Sequence, residues 1–235
     1  MSIPKEVKSI TEKLEKHGFK AYIVGGCVRD LLLARVPEDW DVATDAKPEE
    51  IQKIFPENFY ENKFFTVTVR TGSAEAKLKE IEVTTFRSDH QYTDRRRPGE
   101  VRYAKTIEED LSRRDFTVNA IALELKHEAR STKSEITPKS QIQNVSNFEF
   151  RISNFVLIDP FEGQKDLEAK LIRAVGNAQE RFNEDALRMM RAARIGTTLD
   201  FKIEEQTAKA IRDSASLLKE ISQERIRDEL VKIVM

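Results

Sequence analysis

The chain has 235 residues, of which 39% are hydrophobic and 34% charged, and its formal net charge is −1 at pH 7. This composition is typical of a globular protein with one large or two small domains. The near-zero charge is not that of a dedicated nucleic-acid binder, although basic residues cluster locally. No apolar run approaches the ~20 residues of a membrane-spanning helix, and the first residues lack the apolar core of a secretory signal. Cys27 is the only cysteine, which excludes an intramolecular disulfide, so we expect a cytoplasmic protein with no membrane association.

The first part of the chain has the pattern of alternating helices and strands. An apolar strand at 21–24 leads into two glycines and a short predicted helix. The segment "DWDVA" (39–43) alternates acidic and apolar side chains, as a half-buried strand does. The segments "FFTVTVR" (64–70) and "EIEVTTF" (80–86) alternate in the same way and are rich in β-branched residues, so both are predicted strands.

The second part of the chain changes character near Gly176. Residues 88–105 are polar and basic and are predicted to form a loop, and residues 126–154 are polar and are interpreted as an insertion or an extended hairpin. The last 59 residues contain a single glycine and no proline, so they are predicted to be helical throughout. We therefore predict an α+β head at 1–176 followed by an all-α unit at 177–235.

Two aspartates lie one residue apart in the predicted strand at 39–43. Alternate side chains of a strand share a face, so Asp39 and Asp41 lie together while Trp40 points away. Two carboxylates that close repel each other unless a cation lies between them, and Mg²⁺ typically takes one or two carboxylates plus substrate phosphates. Glu82, on another predicted strand, could complete a two-metal site. Paired aspartates are also common as solvated residues, so the pair alone does not establish a metal site.

A glycine turn precedes the paired aspartates. Gly25 and Gly26, followed by a short helix, could present backbone N–H groups to a phosphate, and Arg29 could add charge-assisted hydrogen bonds. An ordinary tight turn is the alternative interpretation. A phosphate-binding turn so close to paired acids predicts a nucleotidyltransferase that uses Mg²⁺.

An arginine-rich helix is predicted at "RFNEDALRMMRAARI" (181–195). Asp185, Arg188 and Arg191 fall at successive i, i+3 steps, and Arg194 continues the row, so all four are predicted to line one side of the helix. The alternative is a solvated helix with weak ion pairs. Because a carboxylate accepts hydrogen bonds and a guanidinium donates them, an Asp/Arg pair could read the Watson–Crick edge of a base.

The segment "RRDF" (113–116) combines two guanidiniums with a carboxylate. Arg114 could bind a triphosphate oxygen, and Asp115 could accept a hydrogen bond from a ribose hydroxyl. The alternative, which is compatible with the first, is that Asp115 caps the N-terminus of a helix formed by the residues after it.

Six motifs occur in an order that resembles a known family. They are "GGCVRDLLL…EDWDVAT", "EVTTFRSD", "EEDLSRRDFTVNAIAL", "IDPFEGQKDL", "IRAVG" and "RFNEDALRMMRAARI". Over residues 20–125 and 155–235 the chain resembles the class II, or bacterial-type, tRNA nucleotidyltransferase and poly(A) polymerase family of the polymerase-β superfamily. The resemblance implies a nucleotidyltransferase head with a small mixed sheet, followed by an all-α neck.

The resemblance also implies roles for individual residues. Asp39 and Asp41 would bind catalytic Mg²⁺, whereas Glu82 remains a candidate from the strand pattern. The other positions are Gly26, Arg29 and Arg114 for the triphosphate, Asp115 for the ribose, Asp185 and Arg188 for the incoming base, and Arg191 and Arg194 for support of the nucleotide.

The implied reaction is Mg²⁺-dependent addition of CMP and AMP, from CTP and ATP, to the 3′ end of tRNA. The segments "NKFFTVTV" and "TDRRRPGEVRY" favour this CCA-adding branch over the poly(A) branch. Poly(A) addition and addition of only CC or only A stay open as alternatives. Family members continue past "ERIRDELVKIVM" into RNA-binding domains, so the chain is expected to be a fragment or a minimal form. A non-catalytic nucleotide-binding module is the alternative from a different class.

Overall fold

The computed structural model describes residues 2–61, 65–92, 98–126 and 155–234. The helices are α1 (Lys5–Lys16), α2 (Gly26–Leu32), α3 (Pro48–Ile54), α4 (Ile107–Ser112), α5 (Gly163–Glu168), α6 (Ala178–Glu184), α7 (Leu187–Leu199), α8 (Glu205–Ser214) and α9 (Gln223–Val234). The strands are β1 (Ala21–Val24), β2 (Asp41–Thr44), β3 (Asn58–Glu61), β4 (Thr66–Arg70), β5 (Glu80–Thr85), β6 (Arg87–Tyr92), β7 (Pro98–Tyr103), β8 (Ala122–Leu125), β9 (Phe155–Ile158), β10 (Leu171–Ile172) and β11 (Lys202–Ile203).

The central sheet of the described residues has seven strands in the order β3-β4-β5-β2-β1-β8-β9. Strand β2 pairs antiparallel with β1 and parallel with β5, so the sheet is mixed, as the sequence predicted. The parallel register places Asp41 directly opposite Glu82. Partners in adjacent strands point to the same face, so these two acidic side chains share one face of the sheet.

Both faces of the sheet centre are covered by apolar side chains. Ile23 of β1 belongs to one buried cluster, whereas its neighbours Tyr22 and Val24 belong to another. The first cluster includes Val7 and Leu14 of α1, both with no exposed surface, because apolar residues recur there at helical spacing. Full burial of such side chains stabilises the fold by roughly 1.5–3 kcal/mol each, which holds the strand ends that carry the site in fixed positions.

The loop predicted at 88–105 is wrong in its described part. Strands β6 and β7 pair antiparallel and form a separate two-stranded sheet. Backbone hydrogen bonds hold the two strands together, so a polar sequence without an apolar pattern did not predict them. Two contacts attach the pair of strands to the rest of the chain. Phe65, at φ 56°, stacks on Tyr103 of β7 with ring centroids 4.5 Å apart. The backbone N–H of Arg87 donates to Asp110 Oδ1 at 3.2 Å.

The residues after Asp115 do not form the α-helix of the alternative interpretation. Thr117–Asn119 make a single 3-10 turn, and the chain then enters β8. Backbone pairing of β8 with β1 and β9 prevails over the local helical pattern, because these strands complete the sheet on one side.

From Ala178 onward the chain is mainly helical, but it is interrupted between α6 and α7, between α7 and α8, and before α9. Strand β11 pairs parallel with β10, and Asp185 has extended backbone angles, φ −145° and ψ 105°, between α6 and α7. Buried residues on both sides of Gly176, such as Ile172 and Ile195, belong to one hydrophobic cluster. The domain boundary near Gly176 therefore stays a prediction. The predicted insertion at 126–154 lies outside the described residues except for residue 126.

In the described parts of the chain, no helix combines the length and the apolar character needed to cross a membrane.

Candidate active site

The glycine turn lies where β1 ends and α2 begins. Gly25 has φ 83° and ψ −141°, a conformation that residues with a Cβ rarely adopt. A Cβ atom at Gly25 would lie 2.9 Å from Arg114 Nη1 and 3.6 Å from Asp41 Oδ2. The missing side chain therefore lets a guanidinium and a carboxylate approach the same turn, although 72 or more residues separate Arg114 from the other two positions in the sequence.

The paired aspartates lie at the start of β2. Asp39 is exposed and precedes the strand, Trp40 is buried, and Asp41 is the first strand residue. Burial, followed by the negative charge of Asp39, raises the pKa of Asp41 from 3.8 to about 7. Arg114 opposes this shift, and Glu82 adds to it. The raised pKa shows that negative charge is unfavourable here without a nearby cation.

The donor set around Asp41 fits a divalent cation that shares its ligands with a substrate. Two carboxylates are available from Asp39 and Asp41, and Mg²⁺ commonly completes its octahedron with phosphate oxygens and water. Within the described residues, no group of three or more His, Cys, Asp or Glu side chains lies close enough together to hold a metal ion. Glu82 is the register partner of Asp41 but is not among the residues that line the adjoining cleft, so its catalytic role stays a prediction.

Two arginines near the turn are held by carboxylates. Arg29 donates from Nε and Nη2 to Asp30 at 2.8 and 3.0 Å and from Nη1 to Asn119 Oδ1 at 2.8 Å. Arg114 donates from Nη2 to the buried Asp110 at 3.3 Å. Arg114 Nε is buried and has no hydrogen-bond partner among the described residues. A buried guanidinium N–H without an acceptor is costly, and the oxygen of an anion would satisfy it.

Asp115 connects the sheet region to α7. Its Oδ1 accepts from the backbone N–H of Phe116 at 2.9 Å and from Asn119 Nδ2 at 3.3 Å, and its Oδ2 accepts from Arg191 at 2.7 Å. Burial alone would raise its pKa, but the guanidiniums of Arg191 and Arg188 lower the pKa to about 2. Asp115 is therefore ionised at neutral pH and holds α7 against the strands.

The predicted row of four residues on one helix is wrong for Asp185. Arg188, Arg191 and Arg194 belong to α7, but Asp185 ends α6 and lies outside the helix. Its Oδ1 accepts from the backbone N–H of Leu187 at 3.0 Å, so its carboxylate caps α7. The i, i+3 pattern did not reveal this cap.

The two predicted base-reading residues are each held by other groups. Arg188 donates from Nη1 to Glu184 at 2.6 Å and from Nη2 to the backbone carbonyl of Arg113 at 3.2 Å. Asp185 pairs instead with Arg225 of α9. Both groups are therefore held at defined positions at the wall of the cleft.

A cleft of about 750 Å³ brings the predicted residues together. It is lined by Asp39, Asp41, Gly25, Gly26, Arg29, Arg114, Asp115, Asp185, Arg188, Arg191 and Arg194. The two aspartates, Arg29 and Arg114 near the glycine turn, and the Asp185/Arg188 pair thus face one space that is large enough for a nucleotide.

Comparisons with known proteins find similar sequences and folds. A family model described as "Poly A polymerase head domain" matches residues 21–133, and one described as "Probable RNA and SrmB- binding site of polymerase A" matches residues 200–235. Residues 21–133 therefore resemble a poly A polymerase head domain. The CCA-adding enzyme of Lactococcus lactis subsp. cremoris strain MG1363 is 46% identical over 231 residues, which are 98% of this chain and 50% of that enzyme.

Solved structures of CCA-adding enzymes have similar folds. A structure described as the Bacillus stearothermophilus CCA-adding enzyme in complex with CTP is 38% identical, with a TM-score of 0.76, and the match covers 98% of this chain and 49% of that one. The Thermotoga maritima CCA-adding enzyme complexed with tRNA is 26% identical, with a TM-score of 0.68, over 97% of this chain and 45% of that one. The chain spans about half the length of the curated relatives it matches.

Sequence reasoning within this family pattern missed several residues that shape the cleft. Arg113 and Asn119 line it and adjoin the predicted Arg114 and Asp115, so their proximity in the sequence was an available signal. Arg225 also lines the cleft, and Glu229 holds Arg194 from one helical turn further along α9. The i, i+4 spacing of Arg225 and Glu229 could be seen in the sequence, but no feature of the neighbouring residues predicted which helix they contact.

Proposed function

We propose that this chain carries the nucleotide-transfer site of a CCA-adding enzyme, with a head at 1–176 and a helical neck at 177–235. The reaction is Mg²⁺-dependent, template-independent transfer of CMP and AMP from CTP and ATP to the 3′ end of tRNA, with release of pyrophosphate. A tRNA substrate fits a cytoplasmic setting. The observation that carries the proposal is the single cleft in which the Gly25 turn, the two aspartates and the α7 arginines meet.

The phosphate end of the site consists of Gly25, Arg114 and the two aspartates. Arg114 already lies beside Asp41 at the glycine turn and lines the cleft, so its guanidinium can donate to a triphosphate oxygen. When bound between the carboxylates of Asp39 and Asp41, Mg²⁺ would lower the pKa of the attacking 3′-hydroxyl and stabilise the leaving pyrophosphate. The protein contributes position and charge, because the hydroxyl attacks the α-phosphate directly.

The base end of the site consists of Asp185 and Arg188. A carboxylate accepts from the exocyclic amino group that cytosine and adenine share, and a guanidinium donates to the neighbouring ring nitrogen. Uracil and guanine present a carbonyl oxygen where that amino group would lie, so the same pair disfavours them. The relatives described with CTP and with ATP support this assignment of substrates.

An extension assay tests the proposal. Substrates are tRNA ending before, within and after CCA, together with an unstructured RNA, and each of the four nucleotides is supplied separately with Mg²⁺. We expect C, C and A to be added in order, and we expect Asp41→Ala to lose at least a hundredfold in rate. The exposed Asp213→Ala on α8 is the matched control and should retain the rate. Exclusive addition of A to unstructured RNA would identify a poly(A) polymerase instead.

A non-catalytic nucleotide-binding module is the second candidate, because the cleft by itself is large enough to hold a nucleotide. It predicts that CTP and ATP bind while every RNA stays unextended. Extension that depends on Asp41 excludes this candidate.

A further inference from the structure

Helix α9 reaches the base end of the cleft through Arg225. Its Nη2 donates to Asp185 Oδ2 at 2.9 Å, and its Nη1 lies 3.4 Å from Oδ1. The two side chains are 25% and 18% exposed, so water screens the pair only partly. A planar guanidinium that faces both carboxylate oxygens fixes the orientation of the carboxylate as well as its position.

Asp185 lies between two helices, so its side chain is not oriented by a regular helix of its own. Its backbone is extended at the junction of α6 and α7, and besides Arg225 its carboxylate accepts a hydrogen bond from the N–H of Leu187 on Oδ1. A carboxylate has about four lone-pair positions. Leu187 and the two nitrogens of Arg225 occupy three, so one acceptor position remains, on Oδ2.

A second contact fixes α9 itself at this place. Glu229 is buried and accepts from Arg194 Nε at 2.5 Å. Because Arg194 belongs to α7, this bond ties the two helices together one helical turn from Arg225. The guanidinium of Arg225 is thus presented to Asp185 by a helix with a fixed position.

We propose that Arg225 is a specificity-determining positioning residue, which orients Asp185 so that its remaining acceptor faces the amino group of the incoming base. The inference rests on the proposed function, since it concerns the same nucleotide. With Arg225 in place, a base carbonyl meets an oxygen lone pair and is rejected. Without it, the carboxylate can rotate, and the distinction between amino and carbonyl groups weakens.

Equilibrium binding tests this role. The Kd of CTP, ATP, UTP and GTP is measured by calorimetry with Mg²⁺ for the wild-type chain, Arg225→Ala and Arg225→Lys. The matched control is Arg227→Ala, since Arg227 lies on the same helix, is 71% exposed and pairs only with its neighbour Asp228 in the described contacts. Thermal melting of each variant checks that it is folded.

We expect Arg225→Ala to raise the Kd of CTP and ATP about tenfold while UTP and GTP change little, because one oriented base contact is lost. Arg225→Lys should recover part of the discrimination, since an ammonium holds one oxygen but not both. Arg227→Ala should match the wild type.

Three outcomes would overturn the proposal. An unchanged ratio of CTP to UTP affinity in Arg225→Ala means that Asp185 is oriented by other groups. Equal weakening of all four nucleotides indicates a purely structural contact. Tighter CTP binding shows that Arg225 competes with the base. If the wild-type chain binds no nucleotide, or binds all four equally, the proposed function itself is refuted. This result is obtained before any variant is measured, so the two failures can be distinguished.

Discussion

Replacement of Gly25 by alanine perturbs the point where the turn, Arg114 and Asp41 meet. At φ 83° and ψ −141° a residue with a Cβ is strained, which costs about 1–3 kcal/mol of stability. The new Cβ would also lie 2.9 Å from Arg114 Nη1, closer than van der Waals contact allows. That nitrogen ends a flexible side chain, so the guanidinium moves rather than the backbone. If Arg114 loses one charge-assisted bond to a phosphate, the nucleotide Kd rises about tenfold to a hundredfold.

The control for this prediction is Gly18→Ala. Gly18 has φ 89°, but nothing lies within 4 Å of the position its Cβ would take. Both variants therefore share backbone strain, and only Gly25→Ala disturbs the site. Urea unfolding should show a loss of stability in both, whereas CTP titration should show weaker binding in Gly25→Ala alone. Wild-type CTP affinity in a folded Gly25→Ala variant would refute the assignment of Arg114 to the phosphate end.

Two further predictions concern stability. Asp115 has a folded-state pKa of about 2 against 3.8, so its ionisation contributes about 2 kcal/mol that is present above about pH 4 and lost as the pH falls through 2. Asp115→Asn should flatten the free energy of unfolding between pH 4 and 2, and a slope equal to that of the wild type would contradict this. In Gly163→Ala the Cβ would lie 2.3 Å from the carbonyl oxygen of Thr117 and 2.9 Å from Ile121, which should cost at least about 1–3 kcal/mol in urea unfolding. Wild-type stability would show that the 3-10 turn at Thr117 moves freely.

Local patterns predicted the parts of the fold that local physics determines. Residues such as Val67 and Val83 alternate with polar neighbours, and both are fully buried in strands of the central sheet. The glycine turn lies between β1 and α2 as predicted, because a strand that ends at two glycines can reverse direction there. The parallel register of Asp41 with Glu82 was not readable, since it depends on which strands become neighbours.

The base end of the site shows why spacing alone failed. Asp185, Arg188 and Arg191 have the i, i+3 spacing of one helix face, yet the chain breaks the helix between Asp185 and Leu187. The carboxylate caps α7, and its charge is balanced by Arg225, 40 residues away in the sequence. The cap on α7 and the ion pair with Arg225 favour a break in the helix at Asp185. The i, i+3 spacing of the arginines cannot predict either of these contacts.

The charges of the cleft bear on how the binding of the nucleotide depends on the binding of Mg²⁺. Among the described residues, several arginines there pair with a carboxylate, as in Arg29 with Asp30 and Arg191 with Asp115. Such pairing lowers the cost of burying guanidiniums but leaves less charge for a triphosphate. The phosphates would also approach Asp41, where the raised pKa shows that negative charge is already unfavourable. On the proposed function, nucleotide and Mg²⁺ must therefore bind with positive coupling, each raising the affinity of the other by the same factor.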